Sequence, residues 1–387
     1  MTTTSPTYFC SQKFTWLSVN LEKRLSHSCC AATPENIDLK WVSENPGQLF
    51  NTPALHKERQ QMLENIPVDS CKDNCWKPES QGLLSRRIMM QTDQPQKLSI
   101  NSTLSKLNII LGSSCNLTCV YCCKQYSSAW YHDIDNNGSY LSDDRFQITT
   151  KDRVVSKLSQ NEHATSQGFQ TLVTEFKNFE NLDFVAISGG EPFLYNQLSA
   201  IINQFSTRTK IQISTGLGVD TARLQRELDK INDLSNVTIY VSAETTHKLY
   251  EFIRYGNSFD KFLRNLKTLK NNGCNIVLRS VLSNTTIFNI VEFAQYFNNY
   301  EITYQFCSDP DFLNVNVLDY DTKQQLLNKI KNSNITIKDQ LIHAVEQSYT
   351  DKQKSDLKYY LSEFASRRKL SLDVFPLTMT NWLQLEQ

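Results

Sequence analysis

The stretch LGSSCNLTCVYCCKQYS, residues 111–127, gathers Cys115, Cys119, Cys122 and Cys123. Three of them are spaced C-x3-C-x2-C, which offers three thiolates from one compact loop. A cubane iron–sulfur cluster takes four ligands, and Cys thiolate is the usual one. Three from the protein leave one iron open to an outside group. Zinc is the rival, because a closed zinc site also takes four ligands, and Cys123 is available as the fourth. Cys123 directly follows Cys122, however, so its side chain is expected to point away from a centre that Cys122 faces.

The chain has eleven cysteines in all. Cys10, Cys29, Cys30, Cys71 and Cys75 form an early group, while Cys274 and Cys307 stand alone in strand-like stretches and read as small buried hydrophobes. The N-terminus MTTTSPTYFCSQKF lacks the charged-then-apolar pattern of a secretory signal, and no apolar run reaches membrane-spanning length. The reading is cytoplasmic, with no membrane partner. In a reducing compartment clustered cysteines mean metal, cluster or catalysis more often than disulfides. Lys+Arg and Asp+Glu both number 40, a balance that argues against a nucleic-acid partner. Six histidines are scattered singly and outline no mononuclear site.

The elements that must position these groups change character along the chain. Residues 1–100 are rich in Pro, Ser, Gln and Cys and poor in periodicity. One helix stands out there, in TPALHKERQQMLEN, with Thr52 as its cap, Pro53 in its first turn, and Leu55, Met62 and Leu63 on a shared face. From about residue 105, strand-like runs alternate with helical ones: LNIILG, NLDFVAISGGEPF, KIQISTGLGV, NVTIYVSAETT, CNIVLRSVLSN and EITYQFCSDP. Six such units predict an α/β fold, a parallel sheet curling into a partial (β/α)6 barrel over 101–387, preceded by an irregular Cys-rich region over 1–100. Chemistry in such folds sits at the carboxyl ends of the strands. The polar segment from Ala129 to Gly168 is long for a connection and reads equally as a lid or a solvated excursion.

The cysteine loop follows the first of these strands, and SGGEP, residues 188–192, ends the second. Together they resemble the radical S-adenosylmethionine (SAM) superfamily. The resemblance implies that Cys115, Cys119 and Cys122 hold a [4Fe–4S] cluster whose open iron is chelated by SAM. It also implies that Tyr121 lies near the adenine, and that Ser188, Gly189, Gly190 and Glu191 cradle the methionyl part. Ser214, Thr215, Ser242, Glu244 and Arg279, at later strand ends, are weaker candidates for the same ligand. One-electron cleavage of the sulfonium would then give a 5′-deoxyadenosyl radical that takes hydrogen from a substrate, with flavodoxin or ferredoxin as reductant.

The early cysteines, with CW followed by Glu79, Gly82, Ser85 and Arg86, resemble the SPASM/twitch auxiliary-cluster region of that superfamily. This implies a second [4Fe–4S] cluster on Cys10, Cys29, Cys71 and Cys75, and a peptide or peptide-like small-molecule substrate. Two departures stand out: the last pair is spaced C-x3-C rather than C-x2-C, and no glycine precedes Cys29. A structural zinc site is the alternative there. For the whole chain the alternatives are a nucleoside- or tRNA-modifying enzyme and a non-catalytic iron–sulfur or zinc protein.

Overall fold

Alternating burial decides the strands. In the computed structural model these are β1 (Trp16–Asn20), β2 (Leu25–His27), β3 (Glu35–Asn36), β4 (Lys106–Ile110), β5 (Thr118–Cys119), β6 (Phe184–Ser188), β7 (Lys210–Thr215), β8 (Val237–Ser242), β9 (Arg254–Tyr255), β10 (Asn275–Leu282) and β11 (Glu301–Phe306). The structure describes residues 8–29, 31–82, 84–90, 99–141, 143–149, 166–179 and 181–385. The class is α/β with a largely parallel sheet, and all six strands expected beyond residue 105 are present, as β4, β6, β7, β8, β10 and β11. The chain divides into two interleaved units, one made of Met1–Gly112, Leu158–Ile213 and Lys230–Val237, the other of Ser113–Lys157, Ser214–Asp229 and Thr238–Gln387.

In the first unit the strand order is β3-β2-β1-β4-β6-β7. Strands β1, β4, β6 and β7 run parallel, and β2 and β3 add an antiparallel edge. Leu17, Val19, Leu107, Ile109, Val185, Ile187, Ile211 and Ile213 are buried along these strands, as the period-2 pattern requires. The parallel pairing of Trp16–Asn20 with Lys106–Ile110 ties the N-terminal region to the first strand of the alternating series. Helix Pro53–Leu63 forms where expected, with Thr52 Oγ1 accepting from the Leu55 amide at 3.3 Å, a cap contributing about 1 kcal/mol. Leu55 and Met62 face inward, but Leu63 is 43% exposed. Eight residues along a helix lie about 80° apart around its axis, which takes Leu63 off the face of Leu55. Arg59 is buried in its place, donating to the carbonyls of Ile100 and Phe50 at 2.9 and 3.1 Å and to Asn51 at 2.7 Å.

In the second unit β8, β10 and β11 form a parallel run, and β5 pairs with β9 as a short antiparallel ribbon. The helical runs between the strands appear as Thr221–Leu228, Phe259–Asn271 and Ile290–Tyr296. Cys274 directly precedes β10 and Cys307 directly follows β11, the first half-buried and the second buried. The polar segment after the cysteine loop is not wholly solvated: helix Ser128–Asn137 buries Trp130 and Ile134, and Tyr140 and Phe146 are buried beyond it. Its remainder, residues 150–165, lies outside the described residues. Among the described residues no helix is long and apolar enough to cross a membrane.

At the end of β6 the chain turns sharply. Gly189 has φ +100°, and a Cβ there would lie 2.8 Å from the Gly112 carbonyl oxygen and 2.9 Å from the Leu111 amide nitrogen. Neither backbone atom can swing aside, and the conformation itself disfavours any side chain. Gly273 also has positive φ, at +73°, but open space where its Cβ would go. Gly189→Ala should therefore cost roughly 2–4 kcal/mol of stability, against about 1 kcal/mol for Gly273→Ala. Urea unfolding followed by circular dichroism measures both, and equal losses would remove the steric part of this account.

Candidate functional site

The central cysteines lie on a loop in the second unit with little regular structure of its own, and neighbours hold it at almost every residue. The Cys122 amide donates to the Cys119 carbonyl at 2.9 Å, and the Ala129 amide to that of Cys115 at 3.1 Å. Ser127 caps helix Ser128–Asn137 through the Trp130 amide while donating its own hydroxyl to the Leu117 carbonyl at 2.6 Å. Trp130 is fully buried and donates from Nε1 to the Cys119 carbonyl at 3.0 Å. Helix Asp351–Arg368 covers the loop: Tyr360 donates its hydroxyl to the Val120 carbonyl, and Arg368 Nε donates to Thr118 Oγ1 at 3.1 Å. Tyr140, Phe146, Tyr360 and Phe364 ring the Trp130 indole with centroids 5.3–6.3 Å away.

Burial holds the Cys122 thiol well above its usual range, and the neighbouring Cys119, Cys123 and Cys115 push it in the same direction. The charged groups that act on Cys123 are different: besides its burial, these are Arg145, Asp309 and Asp143. Arg145 is ion-paired to both of those aspartates.

Tyr121, Glu244 and Cys119 come together in one buried network, and a residue the sequence reading passed over joins them. Arg254 donates from Nε and Nη2 to the two carboxylate oxygens of Glu244, at 2.9 and 2.6 Å. It also donates from Nη2 to the Tyr121 hydroxyl and from Nη1 to Cys119 Sγ at 3.7 Å. Tyr121 in turn donates its hydroxyl to Glu244 at 2.7 Å. The Arg254 and Glu244 side chains are 4% and 0% exposed. Burial disfavours the Arg254 charge, but Glu244, Tyr121 and Cys119 outweigh it and hold the guanidinium firmly protonated.

The other strand-end candidates are spread along this unit. Thr215 is buried and its hydroxyl accepts from the Leu217 amide at 2.9 Å. Ser214 and Ser242 are half-buried at the ends of β7 and β8. Arg279, opposite Ser242 in the β8–β10 register, lies with its guanidinium 4.4 Å from the centre of the Tyr240 ring. In the first unit, the Leu111 amide donates to the Ser188 carbonyl at 2.9 Å, Gly189 and Gly190 have φ +100° and +54°, and Glu191 is fully buried with Oε1 capping the Phe193 amide at 3.4 Å. Two successive glycines of positive φ put backbone without side chains at the strand end, which suits a ligand approached through main chain.

The N-terminal cysteines converge independently. Cys10, Cys29, Cys71 and Cys75 line one cavity together with Lys13 and Arg87. Cys71 ends a short helical turn and Cys75 lies in the π-helical turn Lys72–Trp76 that follows, so the C-x3-C spacing puts both thiols on one side of a helical segment. The Cys29 turn is fastened beside them by the Thr33 amide on the Ser70 carbonyl, 2.9 Å, and by Asn74 on the Ala31 carbonyl, 2.8 Å. Burial pushes the Cys10 thiol up to about 12 and that of Cys71 to about 11, with Lys13 opposing the latter. Lys13 is itself buried, paired to Glu58 and donating to Ser70 at 2.9 Å. Arg87 pairs with Glu79. None of Cys10, Cys29, Cys71 and Cys75 is joined in a disulfide. Four thiols around one cavity with two cations on its wall form a donor set that fits an anionic iron–sulfur cluster. Among the described residues no three His, Cys, Asp or Glu side chains are grouped so as to hold a single metal ion. Cys30 lies outside the described residues.

A profile of the radical SAM superfamily matches residues 109–296, a span that contains both the cysteine loop and SGGEP. Residues 109–296 form a radical SAM domain. Structures similar to the chain include anSMEcpe with bound AdoMet, at 15% identity and TM-score 0.36, over 68% of this chain and 59% of that one. Streptococcus suis SuiB bound to precursor peptide SuiA is similar at 14% identity and TM-score 0.33, over 94% and 71%. TYW1 with a lysine–pyruvate adduct is similar at 18% and 0.30, over 57% and 70%. The chain spans under two thirds of the length of the first of these. No curated protein sequence matches it significantly.

Two glycines let the loop of the radical SAM domain pack closely. A Cβ on Gly256, at φ +102°, would lie 2.6 Å from the Asn116 carbonyl oxygen, and one on Gly218 would lie 2.9 Å from Asn116 Oδ1 and 3.0 Å from Leu117. Asn116 also donates to the Gly218 carbonyl at 2.8 Å. Gly256→Ala should displace the Cys115–Cys119 segment and lower the iron bound after anaerobic reconstitution, with an added stability loss of roughly 2–4 kcal/mol. Full iron with unchanged thermal stability would mean that the close approach is not needed.

Proposed function

We propose that this chain is a radical SAM enzyme in which Cys115, Cys119 and Cys122 ligate the catalytic [4Fe–4S] cluster and Ser188, Gly189, Gly190 and Glu191 help bind SAM. The observation that carries the reading is the superfamily match over 109–296 with C-x3-C-x2-C on the loop directly after β4. When bound, the cluster and SAM supply one-electron chemistry: cleavage of the sulfonium and abstraction of a substrate hydrogen atom. The chain's own part is to hold three thiolates on an immobile loop, leave one iron without a protein ligand, and shield the site from water. Tyr121, with its hydroxyl anchored by Glu244 and Arg254, offers a fixed ring beside the cysteine loop on which an adenine can pack. Ser214, Thr215, Ser242 and Arg279 are further candidates for contacts to SAM or substrate.

In the same proposal Cys10, Cys29, Cys71 and Cys75 ligate an auxiliary [4Fe–4S] cluster, which the four-cysteine cavity supports. Lys13 and Arg87 offset its negative charge. The substrate class that goes with such a region is a peptide or peptide-like small molecule, and the reductant a flavodoxin or ferredoxin in the cytoplasm.

Anaerobic reconstitution with iron and sulfide should load close to two cubanes, about eight irons per chain, and the reduced protein should convert SAM to 5′-deoxyadenosine. Replacing Cys115, Cys119 and Cys122 together by Ala should abolish that conversion and keep about half the iron. Cys123→Ala should keep both. A triple variant that retained zinc alone would overturn the auxiliary-cluster assignment, and an essential Cys123 would overturn the three-cysteine ligand set.

Replacing Cys71 and Cys75 by Ala should halve the iron, preserve substrate-free SAM cleavage and loosen the N-terminal region, because metal binding is part of the folding energy of a weak core. Limited proteolysis reads the loosening. Unchanged protease resistance together with unchanged iron would sink the assignment.

A further inference from the structure

The radical SAM domain buries an arginine–glutamate pair beside one of its cysteines, and the pairing is built into the backbone. Cys119 lies on β5 and Arg254 on β9, and the two are directly opposite in the antiparallel register. The Val120 amide donates to the Ile253 carbonyl at 2.9 Å and locks that ribbon. Glu244 takes the Nε–Nη2 edge of the guanidinium in a fork, which fixes its plane and aims Nη1 at Cys119 Sγ, 3.7 Å away. The Tyr121 hydroxyl bridges the two charged groups.

Burying such a pair is costly, since neither ion regains in the pair all that it loses in hydration. An apolar pair would fasten β9 as well. What an apolar pair cannot supply is an N–H donor and a fixed positive charge at the sulfur of Cys119. Hydrogen bonds to cluster sulfurs and nearby charge are the protein's main means of setting a cluster's reduction potential. A positive donor stabilises the reduced, more negative cluster and raises the potential, while a carboxylate behind it lowers the potential.

We infer that Arg254 is a positioning and potential-setting residue for the catalytic cluster, acting through an N–H···S contact to Cys119 whose strength Glu244 controls. The inference rests on Cys119 being a cluster ligand. It assigns opposite electrical roles to two residues that are structurally one unit, and that opposition is what an experiment can read. Arg254→Gln removes the charge and the fork. Glu244→Gln keeps the arginine and removes the charge that offsets it. Arg254→Lys keeps the charge without the planar fork.

The test is a redox titration of reconstituted full-length protein followed by electron paramagnetic resonance, reading the reduced signal that changes on adding SAM and so excluding any auxiliary cluster. At a fixed potential, Arg254→Gln should lower the reduced-to-oxidised ratio about tenfold, equivalent to about 59 mV for one electron. Glu244→Gln should raise the ratio, Arg254→Lys should fall between wild type and Arg254→Gln, and the double Gln variant should return towards wild type. A purely structural pair would reduce cluster content in all variants alike and leave the potential of the remaining cluster unmoved; that result, or shifts of the same sign in both single Gln variants, overturns the inference. If Arg254→Gln binds no cluster, Glu244→Gln and Arg254→Lys decide by the same signs. A Cys119→Ala protein that still showed the SAM-responsive signal would instead overturn the ligand assignment beneath it.

Discussion

Three thiols can serve one cluster only if the loop that carries them is held still, and here the loop holds very little of itself. Its fixity comes from groups distant in sequence: the Trp130 indole and the Tyr360 hydroxyl on the carbonyls of Cys119 and Val120, Arg368 on Thr118, and the β9 backbone alongside. Each such hydrogen bond contributes about 1 kcal/mol net, too little to order a loop alone. They act together because the aromatic packing around Trp130 excludes water from all of them. Removing solvent from the loop also holds the Cys122 thiol well above its usual range.

In the proposed cluster assignments, the same constraint accounts for the charges placed around the cysteines. A thiolate-bound cluster carries net negative charge into a poorly solvated place, and a buried charge needs a partner. Lys13 and Arg87 lie on the wall of the N-terminal cavity, and Arg254 reaches the central Cys119. Each cation is itself held by a carboxylate, Glu58, Glu79 or Glu244. Three acid–base pairs beside cysteines follow one pattern, in which the carboxylate fixes the cation's direction and limits its effective charge.

Much of the fold was legible because it is written in local patterns. Strand-like runs alternating with helical ones marked all six strands from residue 105 onward, and Thr52–Pro53 marked the start of a helix to the residue. The parallel partner of β4 was not legible: Trp16–Asn20 is five residues long, and what makes it a strand is the edge of β4 beside it. Leu63 was misread because a hydrophobe near a helix end was given to the buried face without following its angle. The C-x3-C spacing of Cys71 and Cys75 looked irregular only until their helical turns were seen.

The sequence by itself determined the chemistry available: thiols in C-x3-C-x2-C, a glycine-rich strand end, and a group of early cysteines. Side-chain type and short spacing carry that information, since ligand chemistry is a property of the atoms present. Only the tertiary structure decided which distant groups control them. Arg254 is 135 residues from Cys119, and in the sequence it is one of many basic residues. Glu244 read as a candidate ligand for SAM, and the fold adds that its carboxylate is engaged by Arg254 and Tyr121. A Cβ on Gly218 or Gly256 would press into Asn116, which only the fold brings beside them. The physical reason is the same in each case: burial and close approach are created by what the folded chain brings to a residue, and no spacing along the sequence records it.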